Sequence, residues 1–475
     1  MYNIIIKNVE NKYDFAELIK IFLRPEEFNA YTEAEYAEKE ENCESAELFV
    51  FNEERSDDKN EIKREIYNKL SQLTGEKPAW GILTGVRPVK LTGELFQRLG
   101  TQAAVENELA HTYLLADEKI SLLTDTYNYQ QKTCGNPPNN SVGVYIGIPF
   151  CPTRCLYCSF TSNQVGDAEI TRYLEVLKTE IRYVGRRMRE TGLTAESIYI
   201  GGGTPTTLTA EQLDDLLQTV EDNLDLRMLK EFTVEAGRPD TITYEKLEAI
   251  HKHKVERISI NPQSMKERTL ELIGRSHEPS DIVKAFQKAD QVGIPIVNAD
   301  LITGLPEETP EDFARTLDEI LALDPENITV HTLAVKRASR LVDVDKDFHY
   351  KQAQTVAEML KIAKEKLKAA GFRPYYLYRQ KHMAGAFENV GYCKKGMESL
   401  YNVEATAKTT LRQSIISVLW RRSRRFLRLA RAESAKCIIL PKTGSKECRM
   451  YQITKSIFPV LRKCWIEKNK IFLRR

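Results

Sequence analysis

The chain has 475 residues, a formal net charge of +1, and 42% hydrophobic and 29% charged residues, a composition typical of a soluble globular protein with two or three domains. No apolar run approaches the roughly 20 residues that span a bilayer, and no signal-peptide pattern is present. We therefore expect a cytoplasmic protein without a membrane span.

A small α+β domain is predicted for residues 1–135. Its predicted elements are a strand at 2–9, a helix at 13–22, a strand at 46–51 and a helix at 57–73. The compact aromatic segment 78–88 is interpreted either as a packed loop or as a loop that contacts a substrate. The Asn- and Pro-rich segment 134–140 predicts a linker that ends this domain.

Predicted strands alternate with predicted helices from residue 142 to residue 380. The strands are expected at 142–148, 197–200, 231–235, 257–260, 295–302 and 327–332, and the helices at 168–190, 210–223, 244–254, 266–292 and 310–323. A helix at 347–370 and a strand at 374–379 are expected to follow. Repeated strand–helix units predict a parallel sheet with right-handed crossovers. Six units predict an α/β fold, a partial (β/α)6 barrel with functional groups at the carboxyl ends of its strands.

Three of the nine cysteines lie in one loop after the first predicted barrel strand: Cys151, Cys155 and Cys158. The C-x3-C-x2-C spacing is rare by chance, and three soft thiolates can hold three corners of an iron–sulfur cluster. No histidine lies near this loop, so one iron would stay open to another ligand. A zinc site completed by Cys134, the nearest other cysteine, is the alternative interpretation.

This loop, with the aromatic Tyr157 before its last cysteine, resembles that of the radical S-adenosylmethionine (SAM) superfamily. The resemblance implies a [4Fe–4S] cluster as cofactor, with SAM bound to its open iron. The second predicted strand ends in Gly201, Gly202 and Gly203, and consecutive glycines let a ligand approach the backbone closely. At this place the glycine run resembles the superfamily's cradle for the aminoacyl group of SAM, with N–H groups that receive its carboxylate.

A longer set of motifs resembles the oxygen-independent coproporphyrinogen III oxidases. It comprises Ile-Gly-Ile-Pro-Phe-Cys at 146–151, Gly-Gly-Gly-Thr-Pro-Thr at 201–206 and Asp-Leu-Ile-Thr-Gly-Leu-Pro at 300–306. The resemblance implies contacts with a first SAM from Tyr145, Gly202 and Glu235. It implies contacts with a second SAM, or its site, from Tyr157, Gly203, Thr204, Gln263, Arg275, Asp300 and Ala334.

The segments 80–88, 331–337 and 376–381 are similar to one subgroup of that family, the HemZ-type coproporphyrinogen dehydrogenases. The implied activity is the oxidative decarboxylation of coproporphyrinogen III to protoporphyrinogen IX through a SAM-derived 5′-deoxyadenosyl radical, with an unidentified electron donor. Basic residues near predicted strand ends are candidates for binding the propionates of this tetrapyrrole substrate. These residues are Arg238, Lys336, Arg337 and Arg340.

Two positions depart from related proteins. Phe160 stands where the better-studied branch of the family has a further cysteine. Residues 400–402 read Leu-Tyr-Asn, where the sister branch of radical SAM haem chaperones has a His-Asn pair in its haem-binding signature. A haem chaperone without oxidase activity is the alternative function.

Residues 381–403 begin the C-terminal region, and residues 404–475 differ from the rest of the chain in charge. They carry 19 Lys and Arg against 4 Asp and Glu, whereas the other 403 residues carry 50 and 64. This tail could bind an anionic membrane, or nucleic acid if the protein were a zinc-stabilised nucleic-acid-binding protein. We favour a reading-frame shift near codon 403 and expect no nucleic-acid partner. The tail would then form no packed unit, carry no site and leave the C-terminal edge of the barrel uncovered.

Overall fold

The computed structural model describes residues 1–38, 47–134, 140–160, 162–336, 339–345, 348, 352–380, 383–407 and 414–418. All of these residues lie within one compact unit, Met1–Cys437. In these ranges no helix combines the length and the apolar composition needed to cross a membrane.

The chain begins with a three-stranded parallel sheet covered by helices. Its strands are β1 (Tyr2–Ile6), β2 (Phe28–Thr32) and β3 (Glu47–Phe51), with β1 in the centre, and its helices are α1 (Tyr13–Phe22), α2 (Glu33–Ala37) and α3 (Lys59–Thr74). Ile4 and Ile6 of β1 are fully buried against the apolar faces of α1 and α3. The Asp58 side chain caps the start of α3, and Gly75, at φ +75°, ends it. The sequence predicted these elements except β2 and α2.

Six parallel strands then form the partial barrel, each paired with the next in chain order. They are β4 (Ser141–Ile148), β5 (Thr194–Gly202), β6 (Glu231–Gly237), β7 (Arg257–Gln263), β8 (Ile296–Thr303) and β9 (Asn327–Thr332). The helices between them are α7 (Asp167–Thr191), α8 (Ala210–Asn223), α9 (Tyr244–Lys252), α10 (Glu267–Leu272), α11 (Pro279–Val292) and α12 (Pro310–Ala322). Apolar residues such as Val144, Ile198, Val234 and Ile258 are fully buried in the strands. The predicted partial (β/α)6 barrel is confirmed.

Two antiparallel strands extend this sheet past β9, in the order β9, β11 (Glu388–Cys393) and β10 (Arg373–Arg379). The helices α13 (Leu341–Val344) and α14 (Ala353–Ala369) precede them. Before the barrel come α4 (Pro88–Leu99), α5 (Gln102–His111) and α6 (Asp117–Thr133), and both α4 and α6 pack on β10. The helices α4, α5 and α6 and the strand β11 were not predicted from the sequence.

The single helix predicted at 266–292 is in fact two helices, α10 and α11. Gly274 adopts φ +74° just after α10, and Pro279 is the first residue of α11. A left-handed glycine ends a helix and a proline is favoured at a helix start, so both residues favour the break. The break places Arg275 in a loop at the carboxyl end of β7 rather than on a helix surface.

The expectation that packing ends at residue 403 is wrong for the nearest part of the tail. α15 (Leu400–Ala407) continues past that point, and the buried Glu404 accepts a hydrogen bond from the Ser197 hydroxyl over 2.8 Å. β12 (Ser414–Val418) pairs in parallel with β4, so the sheet edge at β4 is covered. The contacts of this part of the tail are therefore made by the five-residue strand β12 and by the buried carboxyl group of Glu404. Residues 419–475 lie outside the described residues, and the expectation for them stays a prediction.

Candidate active site

The cysteine-bearing loop follows β4 and is tied to other loops at the carboxyl ends of the strands. The backbone N–H of Cys151 donates to the carbonyl of Asn163 over 3.2 Å, and that of Leu156 donates to the carbonyl of Ile273 over 2.9 Å. The carbonyl of Leu156 accepts the N–H of Leu341 over 3.0 Å. These bonds hold the loop at the mouth of the barrel.

The three predicted cluster ligands lie in this loop with their thiols near one another. Cys155 is buried, and Cys151 and Cys158 are half-buried. Burial raises the pKa of the Cys151 and Cys158 thiols, and electrostatic interactions with the neighbouring cysteines raise each pKa further. Three soft sulfur donors on one loop fit an iron–sulfur cluster. In the described ranges, no three His, Cys, Asp or Glu side chains surround the position of a single metal ion.

Cys134, the fourth ligand of the zinc alternative, lies at the other end of the barrel. It packs with Cys393 and Val403, and its thiol interacts electrostatically with Glu231, the first residue of β6. The cysteine loop instead follows the last residue of β4, which runs in the same direction as β6. The length of the strands therefore separates Cys134 from the loop, and this contradicts a zinc site completed by Cys134.

The glycine turn at the end of β5 lies directly beside the cysteine loop. The N–H of Gly203 donates to the carbonyl of Ile148 over 2.8 Å, and the N–H of Thr204 donates to the carbonyl of Phe150 over 2.7 Å. A Cβ atom on Gly203 would lie 2.5 Å from the Phe150 carbonyl oxygen, so only glycine allows this approach. The Thr204 hydroxyl lies 3.3 Å from Sγ of Cys151, and it therefore contacts a predicted cluster ligand.

Glu235, in β6, connects this turn to the tyrosines of the barrel interior. Its carboxylate accepts the Tyr199 hydroxyl over 2.6 Å and the N–H of Gly202 over 3.1 Å. The N–H of Gly202 was expected to face a ligand carboxylate, but Glu235 on the neighbouring strand already accepts it. The Tyr145 hydroxyl would lie 3.3 Å from a Cβ on Gly202, so the three residues predicted for the first SAM lie together. Burial raises the pKa of Glu235 to about 7, and the nearby Asp300 carboxylate raises it as well.

A second group of predicted residues lies around Tyr157. The Arg275 guanidinium donates to the Tyr157 hydroxyl over 3.1 Å and to the carbonyl of Asn261 over 3.1 Å. Nε of Arg275 and Oε1 of Gln263 are buried and have no hydrogen-bond partner among the described residues. Gln263 also adopts φ +69°, which is uncommon for a residue with a side chain. Buried polar atoms are normally paired, so these atoms fit a ligand rich in hydrogen-bonding groups, such as a nucleoside.

Asp300, in β8, is linked to His331, a residue for which no role was predicted from the sequence. Nδ2 of Asn298 donates to Asp300 over 2.7 Å, and Nε2 of His331 lies 3.6 Å from the other Asp300 oxygen. The Tyr378 hydroxyl lies 3.4 Å from Nδ1 of the same histidine. Burial acts to raise the pKa of Asp300, but its interactions with His331 and Asn298 outweigh burial and lower it. Ala334, two residues after β9, lies at the same end of the barrel.

The basic residues predicted to bind propionates are placed differently from one another. Arg238 is only 3% exposed and already pairs with Asp240, which does not fit the predicted binding of a substrate propionate. The turn after β6 directs its side chain under the cysteine loop instead of toward solvent. Lys336 follows β9, and Arg340 precedes α13 on the surface. Arg337 lies outside the described residues.

The barrel and the cysteine loop at its mouth are the features of a radical SAM protein, and residues 145–320 match that superfamily. The chain is 41% identical over 350 residues to the oxygen-independent coproporphyrinogen-III oxidase-like protein HemZ of Bacillus subtilis. The matched residues are 73% of this chain and 70% of that protein. The chain therefore belongs to the HemZ family of radical SAM proteins. This superfamily uses a [4Fe–4S] cluster and SAM.

Other relatives are named either as heme chaperones or as coproporphyrinogen III oxidases. The heme chaperone HemW of Bacillus subtilis is 32% identical over 263 residues, which are 55% of this chain and 65% of that protein. The oxygen-independent coproporphyrinogen III oxidase of Escherichia coli is 30% identical over 200 residues, which are 42% of this chain and 43% of that protein. A solved structure of the Escherichia coli coproporphyrinogen III oxidase HemN has a TM-score of 0.49 and 21% identity, over 61% of this chain and 65% of that one.

Proposed function

We propose that this protein catalyses the oxidative decarboxylation of coproporphyrinogen III to protoporphyrinogen IX without oxygen. The observation that carries the proposal is the meeting of three features at one mouth of the barrel. These are the cysteine loop, the bonded pair of Glu235 and Gly202, and the pair of Asp300 and His331. The 41% identity to an oxidase-like protein also supports an oxidase activity.

Cys151, Cys155 and Cys158 would hold the cluster, and Glu235 and Tyr145 would contact SAM. When bound, the cluster and SAM supply a carbon-centred radical that can remove a hydrogen atom from a propionate side chain. Glu235, held by the Tyr199 hydroxyl, would orient the SAM at the end of β6. An electron donor that is still unidentified would reduce the cluster, and after loss of carbon dioxide a separate electron acceptor would take up the electron that the substrate radical releases.

One observation argues against the haem-chaperone alternative. The segment that occupies the place of the chaperone haem-binding signature is used for packing inside the barrel. The Tyr401 ring stacks on the Tyr199 ring with their centroids 4.5 Å apart, and Nδ2 of Asn402 donates to the Tyr375 hydroxyl over 3.4 Å. These contacts engage both side chains in packing within the barrel, and residues 400–402 contain no histidine.

The proposal is tested by anaerobic reconstitution with iron and sulfide, followed by incubation with a chemical reductant, SAM and coproporphyrinogen III. The oxidase predicts protoporphyrinogen IX, detected after oxidation by chromatography, together with 5′-deoxyadenosine. In a parallel sample, the protein is incubated with haem and its Soret band is recorded after gel filtration. A stable haem complex without any decarboxylated product would refute the oxidase and support the chaperone.

A further inference from the structure

Arg238 occupies a buried position directly beneath the cysteine loop. Gly237, at φ +64°, turns the chain at the end of β6, and Arg238 follows it with an exposed fraction of only 3%. Burial of an arginine costs free energy unless its charge is paired with an opposite charge and its N–H groups are hydrogen-bonded. The contacts of this guanidinium are therefore informative about its role.

The guanidinium connects the cysteine loop to two other loops. Its Nη1 donates a hydrogen bond to the Thr153 hydroxyl over 2.5 Å. The same Nη1 also donates to Sγ of Cys155 over 3.9 Å. Its Nε and Nη2 donate to the two carboxylate oxygens of Asp240, each over 2.9 Å. Nη2 also donates to the Ser276 hydroxyl over 2.8 Å. This planar fork of donors is a property of arginine that lysine lacks.

The position of Nη1 bears on the chemistry of the cluster ligand. Hydrogen bonds and positive charge near the ligand sulfurs stabilise the reduced cluster, which carries one more electron than the oxidised cluster. Asp240 offsets part of the charge on Arg238 and holds the fork in place. Arg275 interacts electrostatically with Cys155 as well, but its described hydrogen bonds go to Tyr157 and Asn261.

We propose that Arg238 is a positioning residue that holds Cys155 and raises the reduction potential of the cluster bound there. Asp240 limits this effect by partly neutralising the guanidinium. The inference concerns the cluster and not the tetrapyrrole, and it holds whichever substrate the protein acts on.

The test is a redox titration of the reconstituted cluster, followed by electron paramagnetic resonance, in wild type and in variants at this pair. In Arg238→Gln we expect a more negative midpoint potential, so that the ratio of reduced to oxidised cluster at the wild-type midpoint falls about tenfold. Arg238→Lys keeps the positive charge but lacks the planar fork of donors. We expect its midpoint potential to lie between that of the wild type and that of Arg238→Gln. Asp240→Asn leaves the guanidinium charge uncompensated, and we expect a shift to a more positive potential.

Arg227→Gln is a matched control, since Arg227 also pairs with an aspartate two residues away. Its Nε and Nη2 donate to Asp225 over 2.9 and 2.6 Å, but it is exposed and precedes β6. This control should keep the wild-type potential. A wild-type potential in Arg238→Gln at full iron content would overturn the proposal. Loss of the folded state, seen by circular dichroism, in the variants at Arg238 and Asp240 alike would also overturn it, because the pair would then serve folding alone.

Discussion

The carboxylate of Glu235 accepts the backbone N–H of Gly202 over 3.1 Å, and this bond joins the ends of two neighbouring strands. The Tyr199 hydroxyl donates to the other carboxylate oxygen over 2.6 Å. Glu235 thus fixes the shape of the glycine turn beside the cysteine loop. We expect it to contribute to the SAM site both as a ligand contact and as a support for the turn.

Glu235→Gln should weaken SAM binding by about 1–3 kcal/mol, because the variant loses a charged hydrogen-bond partner. Iron content should stay at the wild-type level, since the described hydrogen bonds of Glu235 go to Tyr199 and Gly202 and not to the cysteine loop. Isothermal titration of the anaerobically reconstituted protein with SAM measures the effect. Glu248→Gln, which changes an exposed glutamate on α9, is the control. Unchanged SAM affinity in Glu235→Gln at full cluster loading would contradict this role.

Replacement of Cys151, Cys155 or Cys158 by Ala should abolish cluster assembly, because each removes one of three thiolate ligands. Cys134→Ala should leave the cluster intact, since Cys134 packs near Cys393 at the other end of the barrel. Iron analysis and the ultraviolet–visible spectrum after reconstitution measure both results. Loss of iron in Cys134→Ala, with folding preserved by circular dichroism, would be inconsistent with the ligand assignment.

Lys119→Met should destabilise the protein by about 3–5 kcal/mol, the usual effect of leaving a buried charge unpaired. Nζ of Lys119 lies 2.7 Å from the Glu388 carboxylate, whose other oxygen accepts the Trp80 indole N–H over 2.7 Å. The Lys119 and Glu388 side chains are 8% and 3% exposed. Urea unfolding followed by fluorescence measures the change. The exposed pair of Lys90 and Glu94 offers a control, and Lys90→Met should cost at most about 1 kcal/mol.

The free energy of unfolding should fall as the pH rises from about 5 to 8. Burial raises the pKa of Glu404 from 4.5 to about 8, so in this interval the folded state holds a proton that the unfolded state has released. The stabilisation from this proton is present below pH 4.5 and is lost as the pH approaches 8. Glu404→Gln should reduce the fall by about 2–4 kcal/mol, as measured by urea unfolding at several pH values. A pH profile identical to wild type would show that Glu404 is not buried as described.

Some of the site could be predicted from the sequence because its motifs are contiguous. The cysteine loop and the glycine turn each follow a strand, and their spacing alone predicts that they meet at the barrel mouth. The buried position of Arg238 could not be predicted, because it depends on the turn at Gly237 and on contacts with residues distant in sequence. Glu404 was assigned to the tail by charge, yet its burial depends on Ser197, more than two hundred residues earlier. The composition of residues 404–475 describes their average charge and therefore could not predict that Glu404 is buried.

The most direct test of the proposed function is the transfer of hydrogen from substrate to SAM-derived product. Coproporphyrinogen III deuterated at the β-carbons of its propionates is incubated anaerobically with the reconstituted protein, SAM and a reductant. The proposed oxidase activity predicts 5′-deoxyadenosine that carries one deuterium, detected by mass spectrometry, together with the vinyl-bearing product. Formation of 5′-deoxyadenosine without deuterium, or at the same rate with and without substrate, would contradict it.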